Sequence, residues 1–253
     1  MSELTSNLMF QLPNKPELVV ASDIHIQSPA DERAKLLIQL LKEVKRVNAE
    51  ALVLNGDIFD FFFGWGNYFK EKYADIFLSL EDLAAAGTKV VFIEGNHEFG
   101  LDKMAPNGVE YSDGFGKVIT TSSKTTILIA HGDLMKHDPY YFTFRAIVRS
   151  WLFSSLAFVF PQKVLDQLTS SFAKISRKKD AYRTLKHEQI LLCAQDTLNQ
   201  HSSDHMIFGH FHHPYDHVTK NGGRILSVDS WDYPSCLVFS SGQFLRVTPQ
   251  TQN

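Results

Sequence analysis

Cysteine is nearly absent from this chain. Its 253 residues include two, Cys193 and Cys236, which form no CxxC pair and no disulfide framework. That leaves no Cys-rich structural metal site, and both thiols are expected to be buried and reduced. Long apolar runs are missing as well. No window reaches the ~18 apolar residues of a membrane-crossing helix, and the greasiest stretch, Trp151 to Phe160, is far shorter. The first residues lack a basic start followed by an apolar run, so no secretory leader is expected. Nor is there a strong excess of one charge: a net charge of -3 argues against a protein that coats nucleic acid. No internal repeat or low-complexity linker appears. The hydrophobic share of 44% and charged share of 21% fit a globular chain that can bury a large single core.

The first half of the chain alternates between two periodicities. Leu18 to Ala21, Ala51 to Leu54 and Lys89 to Ile93 read as short buried strands. Between them, Ala34 to Val47 carries Leu36, Leu37, Leu40, Leu41 and Val44 at helical spacing, and Tyr73 to Ala86 reads as a second helix stopped by Gly87. Thr126 to Ala130 is a fourth strand. From about Asp138 to Thr197 only helical pattern is present. Strands resume at Met206 to Phe208 and continue at Arg224 to Val228, Leu237 to Ser240 and Phe244 to Val247. The last three are expected to be antiparallel, joined by turns at Asn221-Gly222-Gly223 and Ser241-Gly242. The pattern predicts an α/β layered fold with mixed sheets.

Metal-binding side chains stand just past the ends of five of these strands. They are Asp23 and His25, then Asp57, then Asn96 with His97 and Glu98, then His131 with Asp133, then His210 and His212. Ligands of α/β sheets bind at the carboxyl ends of strands, so the five segments are expected to converge on one crevice. The donors are oxygen and nitrogen with no thiolate, a set suited to Mn²⁺, Fe²⁺ or Zn²⁺. Each segment alone also reads as an ordinary turn; Asn55-Gly56-Asp57 is one by composition. His137, His187, His201, His205, His213 and His217 fall outside the pattern and read as surface residues.

The series D-x-H, GD, GNHE, HGD and GH-x-H resembles the calcineurin-like metallophosphoesterase superfamily, over residues 18 to about 231. The resemblance implies a β-sandwich of two central mixed sheets flanked by helices. It also implies two divalent ions, Mn²⁺ foremost. One would be held by Asp23, His25, Asp57 and His212, the other by Asp57, Asn96, His131 and His210, with Asp57 shared. Such ion pairs serve phosphoryl transfer. His97, beside Asn96, is then the expected proton donor, because an imidazole can give up a proton near neutral pH.

His131 and His210 stand 79 positions apart, against 32 to 39 between the earlier motifs, so an insertion at 138–190 is expected. It opens with eight aromatics between Tyr140 and Pro161, and continues with seven Lys or Arg and two acids between Lys163 and Lys186. A greasy stretch followed by a basic one suits a helical cap that meets anionic lipid. A helical hairpin packed on the core would have the same composition. Within the superfamily the chain resembles the UDP-2,3-diacylglucosamine hydrolases. The resemblance lies in SDIHI at 22–26, GDIFDFFFG at 56–64, GNHEFGLD at 95–102, the segment from His131 to Pro161 with its Phe144-Arg145, and GHFHHP at 209–214. It implies a substrate with two acyl chains, cleavage of a diphosphate to UMP and diacylglucosamine 1-phosphate, and a cytoplasmic enzyme peripheral to the inner membrane. Arg145, Phe153 and Phe158 become candidate substrate residues. The best-known branch of that family has Arg-Asp where this chain has His97-Glu98. A phosphate leaving group has little need of a proton, whereas an alkoxide needs an acid such as His97. A phosphomonoester or phosphodiester substrate therefore stays open, as does an inactive scaffold, although no ligand position is missing.

Overall fold

The computed structural model describes residues 8–64, 67–104, 106–135, 139–150 and 186–251. After a two-residue strand β1 (Leu8–Met9), the apolar runs form β2 (Leu18–Ala21), β3 (Ala51–Asn55), the short β4 (Phe62–Phe63) and β5 (Lys89–Ile93). Three helices lie among them: α1 (Glu32–Arg46), α2 (Tyr68–Lys72) and α3 (Ala74–Ala85). The Asp31 carboxylate starts α1 by accepting the Arg33 N–H at 3.0 Å, a side-chain cap for an otherwise orphaned donor. Leu36, Leu37, Leu40, Leu41 and Val44 then face the core together.

There follow β6 (Glu98–Phe99), β7 (Val109–Ser112), β8 (Lys117–Thr120), β9 (Thr126–Ala130), α4 (Pro139–Val148) and α5 (His187–His201). The chain then runs through β10 (His205–Phe208), β11 (Asp216–Val218), β12 (Arg224–Ser227), β13 (Cys236–Ser240), β14 (Gln243–Val247) and β15 (Gln250–Thr251).

Two sheets carry the fold. One has six strands in the order β14-β13-β2-β3-β5-β7, the other five in the order β11-β12-β10-β9-β8. β2, β3, β5 and β7 run parallel, as do β9, β10 and β12, and the remaining strands of each sheet are antiparallel to their neighbours. Period-two alternation splits each buried strand between two cores. Leu18, Val20, Val53, Val91 and Ile93 meet Ile127, Ile129, Ile207 and Leu226 between the sheets. Val19, Leu52, Leu54, Val90 and Phe92 turn the other way, onto α1 and α3. Leu128, Met206, Phe208 and Ile225 pack on Ile190, Ala194 and Leu198 of α5. Strands buried on both faces explain why the sequence shows continuous apolar runs here rather than alternation.

One expected pairing is corrected. The Asn221–Gly223 turn does close an antiparallel hairpin, but its first strand is β11, whose three residues Asp-His-Val offer no apolar run to read. β12 itself lies parallel to β10, with Met206 opposite Ile225. β13 and β14 form the expected antiparallel hairpin, turned by Ser241 and Gly242 at φ 51° and 76°. Of the expected insertion at 138–190, α4 and the first residues of α5 are described; Phe153 and Phe158 lie outside the described residues. No described helix is long and apolar enough to cross a membrane.

Candidate metal centre

All the parallel strands that carry a motif end on one edge of the sandwich. β2 delivers Asp23 and His25, β3 delivers Asp57, and β5 delivers Asn96 and His97 from the six-stranded sheet. β9 delivers His131, and β10 delivers His210 and His212, from the five-stranded one. Backbone hydrogen bonds stitch these loops together. The Asp23 N–H donates to Gly56 O at 3.1 Å, His25 N–H to Asp57 O at 2.9 Å and Gly209 N–H to His131 O at 2.8 Å. The His210 N–H donates to the Asp23 carboxylate at 3.0 Å, tying one sheet to the other.

Three overlapping groups of donor atoms result, each with all atoms within 4.8 Å of one another: Asp23, His25 and His212; Asp57, His131 and His210; and His25, Asp57 and His97. The Asn96 side-chain oxygen lies 3.2 Å from His131 Nε2 and extends the second group. Asp57 Oδ2 lies 3.4 Å from His131 Nε2 and 4.0 Å from His25 Nε2, between the first two groups. The seven residues expected as ligands are thus brought together, with Asp57 in the middle.

The donor set fits divalent cations. Two buried carboxylates and four imidazoles supply oxygen and nitrogen only, and the Asp23 and Asp57 charges repel each other without a cation near them. Gly95 and Gly209 let the backbone come close: a Cβ at either would run into the Asp57 or the Asp23 carboxylate. Five of the seven, Asp23, His25, Asp57, His210 and His212, hold left-handed backbone with φ between 50° and 68°. Non-glycine residues rarely adopt that region, and its concentration in one site is backbone strain kept for a function.

Electrostatics follow from burial and neighbours. Burial alone would raise the Asp57 carboxyl, but His131, His97 and His25 hold it well below the usual carboxylate range. Burial opposes a charge on His131, yet Asp57 beside it raises the ring well above its ordinary value. Burial pushes His25 down to about 4 and His210 to about 3, leaving both neutral, the form that ligates a metal. The Nδ1 atom of His131 lies 2.9 Å from the Asn55 carbonyl oxygen, which can only accept. Nδ1 therefore carries a proton in either charge state, and Nε2 faces Asp57 in the cluster, where a bound cation would take the place of its proton. His97 is set the same way, with Nδ1 2.6 Å from the Asp60 carbonyl and Nε2 3.9 Å from Asp57 Oδ2.

The supporting roles of Ser22, Asn55 and Glu98 escaped the sequence reading, which had Glu98 among the metal-type side chains. The Ser22 hydroxyl lies 2.5 Å from the Asp23 carboxylate and 2.7 Å from Asn55 O, and its single proton is shared between these acceptors. Asn55 donates to Ala130 O at 3.1 Å, bridging the sheets. Glu98 is fully buried and accepts the N–H groups of Ile58, Phe59, Asp57 and Gly95 at 2.7, 3.0, 3.1 and 3.1 Å. Burial and the Asp57 charge push its carboxyl up to about 8. Each of its oxygens already accepts two N–H groups, however, which leaves no lone pair for a proton, so the geometry assigns it as a carboxylate. A charged residue inside a buried strand-end motif was the available signal. Arg145, a candidate substrate residue, has a buried side chain, with Nη1 3.6 Å from Asp133 and Nη2 donating to the Asp113 carbonyl.

A two-sheet sandwich with a nitrogen-oxygen cluster at the strand ends defines a class, and the chain belongs to the calcineurin-like phosphoesterase family, whose profile matches residues 17–214, a span holding all seven residues expected as ligands. It is a metal-dependent hydrolase. Among curated relatives, the UDP-2,3-diacylglucosamine hydrolase of Neisseria gonorrhoeae (strain ATCC 700825 / FA 1090) is 27% identical over 238 residues, covering 90% of this chain and 96% of the relative. The protein of the same name from Blochmanniella pennsylvanica (strain BPEN) is 26% identical over 228 residues, covering 85% and 88%. A dimetal phosphatase from Danio rerio shares the fold, with a TM-score of 0.50 at 13% identity over 94% of this chain and 100% of that one.

Proposed function

We propose that the chain hydrolyses the diphosphate of UDP-2,3-diacylglucosamine to UMP and 2,3-diacylglucosamine 1-phosphate, at an anionic membrane surface on the cytoplasmic side. The observation that carries this reading is a complete seven-residue donor cluster in a chain that aligns over nine-tenths of its length with a relative of that name. Asp23, His25, Asp57 and His212 would hold one divalent ion, and Asp57, Asn96, His131 and His210 the other, Mn²⁺ being the metal we propose. Bound there, the ions would supply Lewis acidity to the phosphoryl oxygens.

The chain's own residues do the rest. Asp57, buried and fixed through its neighbours' N–H groups, keeps the two halves of the cluster in register. His131 and His97 each hold Nδ1 against a backbone carbonyl, which turns Nε2 toward the cluster. His97 Nε2 is placed to move a proton to or from a phosphoryl or leaving-group oxygen. That imidazole favours a second reading, in which the leaving group is an alkoxide and the substrate a phosphomonoester or phosphodiester. The aromatic and basic stretches between Tyr140 and Lys186 support an acylated substrate, with Phe153 and Phe158 proposed to meet the acyl chains.

The test is an assay of Mn²⁺-loaded protein against UDP-2,3-diacylglucosamine, an aryl phosphate and an aryl phosphodiester. Turnover of the first at a kcat/KM at least tenfold above the others supports the primary reading. Turnover confined to the aryl esters overturns it. Polar substitutions at Phe153 and Phe158 are expected to raise KM for the acylated substrate and leave aryl ester hydrolysis unchanged; equal losses on both refute the lipid role.

A further inference from the structure

α4 carries a polar stripe that the reaction does not itself require. Tyr141, Arg145 and Arg149 follow one another at intervals of four, so they lie on one helix face, and the Arg149 N–H continues the helical turn by donating to Arg145 O at 3.0 Å. Arg145 is buried in the frame, and Tyr141 and Arg149 are half-buried. Tyr141 donates to the Asp133 carboxylate, and Arg145 pairs with the same group. Arg145 also donates to the Asp113 carbonyl. Arg149 pairs with Glu94, a fully buried carboxylate that also accepts the Tyr111 hydroxyl and, at 2.7 Å, the Gly100 N–H.

The acceptors are not scattered. Asp133 stands two residues after His131, and Glu94 two residues before Asn96. Those two ligands come from different sheets, and their side chains meet at 3.2 Å in one half of the metal cluster. α4 therefore grips both loops at once, by Tyr141 and Arg145 on the His131 side and by Arg149 on the Asn96 side. The Asp23–His25 loop is held from a different element, by Arg33 of α1, which donates to Ile24 O at 2.9 Å and pairs with Asp232.

We propose that Tyr141, Arg145 and Arg149 are positioning residues that set the approach of Asn96 to His131, and so link the seating of α4 to the affinity of that half of the site for its ion. The inference rests on the two-ion reading above. Since α4 opens the insertion, whatever seats or unseats the insertion acts on one ion and not the other.

Calorimetric titration of the full chain with Mn²⁺ tests this. The wild type is expected to bind two ions. Arg149→Met is expected to bind one as before and the other about 10–100-fold more weakly, the range found when a group supporting a ligand is lost. Arg149→Lys should recover part of the difference. Arg149→Met strands Glu94 in the interior and can fail to fold, so Arg149→Met/Glu94→Gln, which removes both charges, is titrated beside it. Equal weakening of both ions, or of neither, overturns the proposal. A wild type that binds fewer than two ions overturns the two-ion reading first and this inference with it. Hydrogen exchange of the wild type needs no variant. By linkage, Mn²⁺ loading should slow exchange in residues 139–150, and unchanged exchange there refutes the coupling.

Discussion

Glu98→Gln isolates what a single buried carboxylate does for the site. Two N–H groups reach each Glu98 oxygen: Ile58 and Phe59 on one, Asp57 and Gly95 on the other. Glutamine keeps the shape but offers one oxygen. Whichever way its amide turns, its NH₂ faces two N–H donors that have no solvent to turn to, because the residue is fully buried. Each stranded donor costs about 1–3 kcal/mol, so the substitution is expected to cost about 2–6 kcal/mol. That is a large part of the ~5–15 kcal/mol by which domains are stable. The assay is urea unfolding of EDTA-treated protein, where the midpoint should fall with the slope unchanged. Glu71→Gln, at an exposed position on α2, is the control and should stay within ~0.5 kcal/mol of wild type. The same variant should bind both ions more weakly, because the loop it loosens carries the shared Asp57. A midpoint no lower than that of the Glu71 control would refute the reasoning.

Three other outcomes are expected. Asp57→Ala should abolish turnover and cut metal content below two ions per chain, with far-ultraviolet circular dichroism unchanged; full metal content would deny Asp57 its place between the groups. His97→Arg should retain activity if the leaving group is a phosphate, and lose about 10²–10⁴-fold in kcat if it is an alkoxide, so kcat on UDP-2,3-diacylglucosamine and on aryl esters separates the two readings. Burial pushes the Cys236 thiol up to about 12, whereas Cys193 is half-buried. A thiol reagent at pH 8 should thus label at most one site per native chain and two after denaturation, and rapid labelling of both in the native protein would contradict the buried core.

The clustering of the proposed ligands was legible because they fall where parallel strands stop, and five such stops in order leave little freedom for where the side chains go. The strand-helix alternation was legible for the same reason: β2, β3 and β5 are apolar at nearly every position because helices cover one face and the second sheet the other. β7, β8 and β11 were not, since they are short, partly exposed and carry no continuous apolar run. The hairpin turn before β12 was read correctly and its partner was not, because a turn fixes two flanking strands without saying where the sheet continues. Glu98 and Asn55 act on backbone groups of other loops, and those contacts have no counterpart in motif spacing. Arg145 became a candidate through the resemblance at Phe144-Arg145, and its partners, Asp133 and the Asp113 carbonyl, lie on loops that only the fold brings near.

The left-handed backbone at Asp23, His25, Asp57, His210 and His212 bears on how such a protein can drift. An L-residue in that region carries strain of about 1–2 kcal/mol, which glycine does not. At each of the five positions, a change to glycine relaxes the chain at the moment it deletes a ligand. At Asp23 and Asp57 that relief is set against the His210 and His97 N–H groups, which lose their acceptor. If these residues are ligands, a lineage released from selection for hydrolysis is expected to lose the histidines of the set to small residues first, while its sandwich persists.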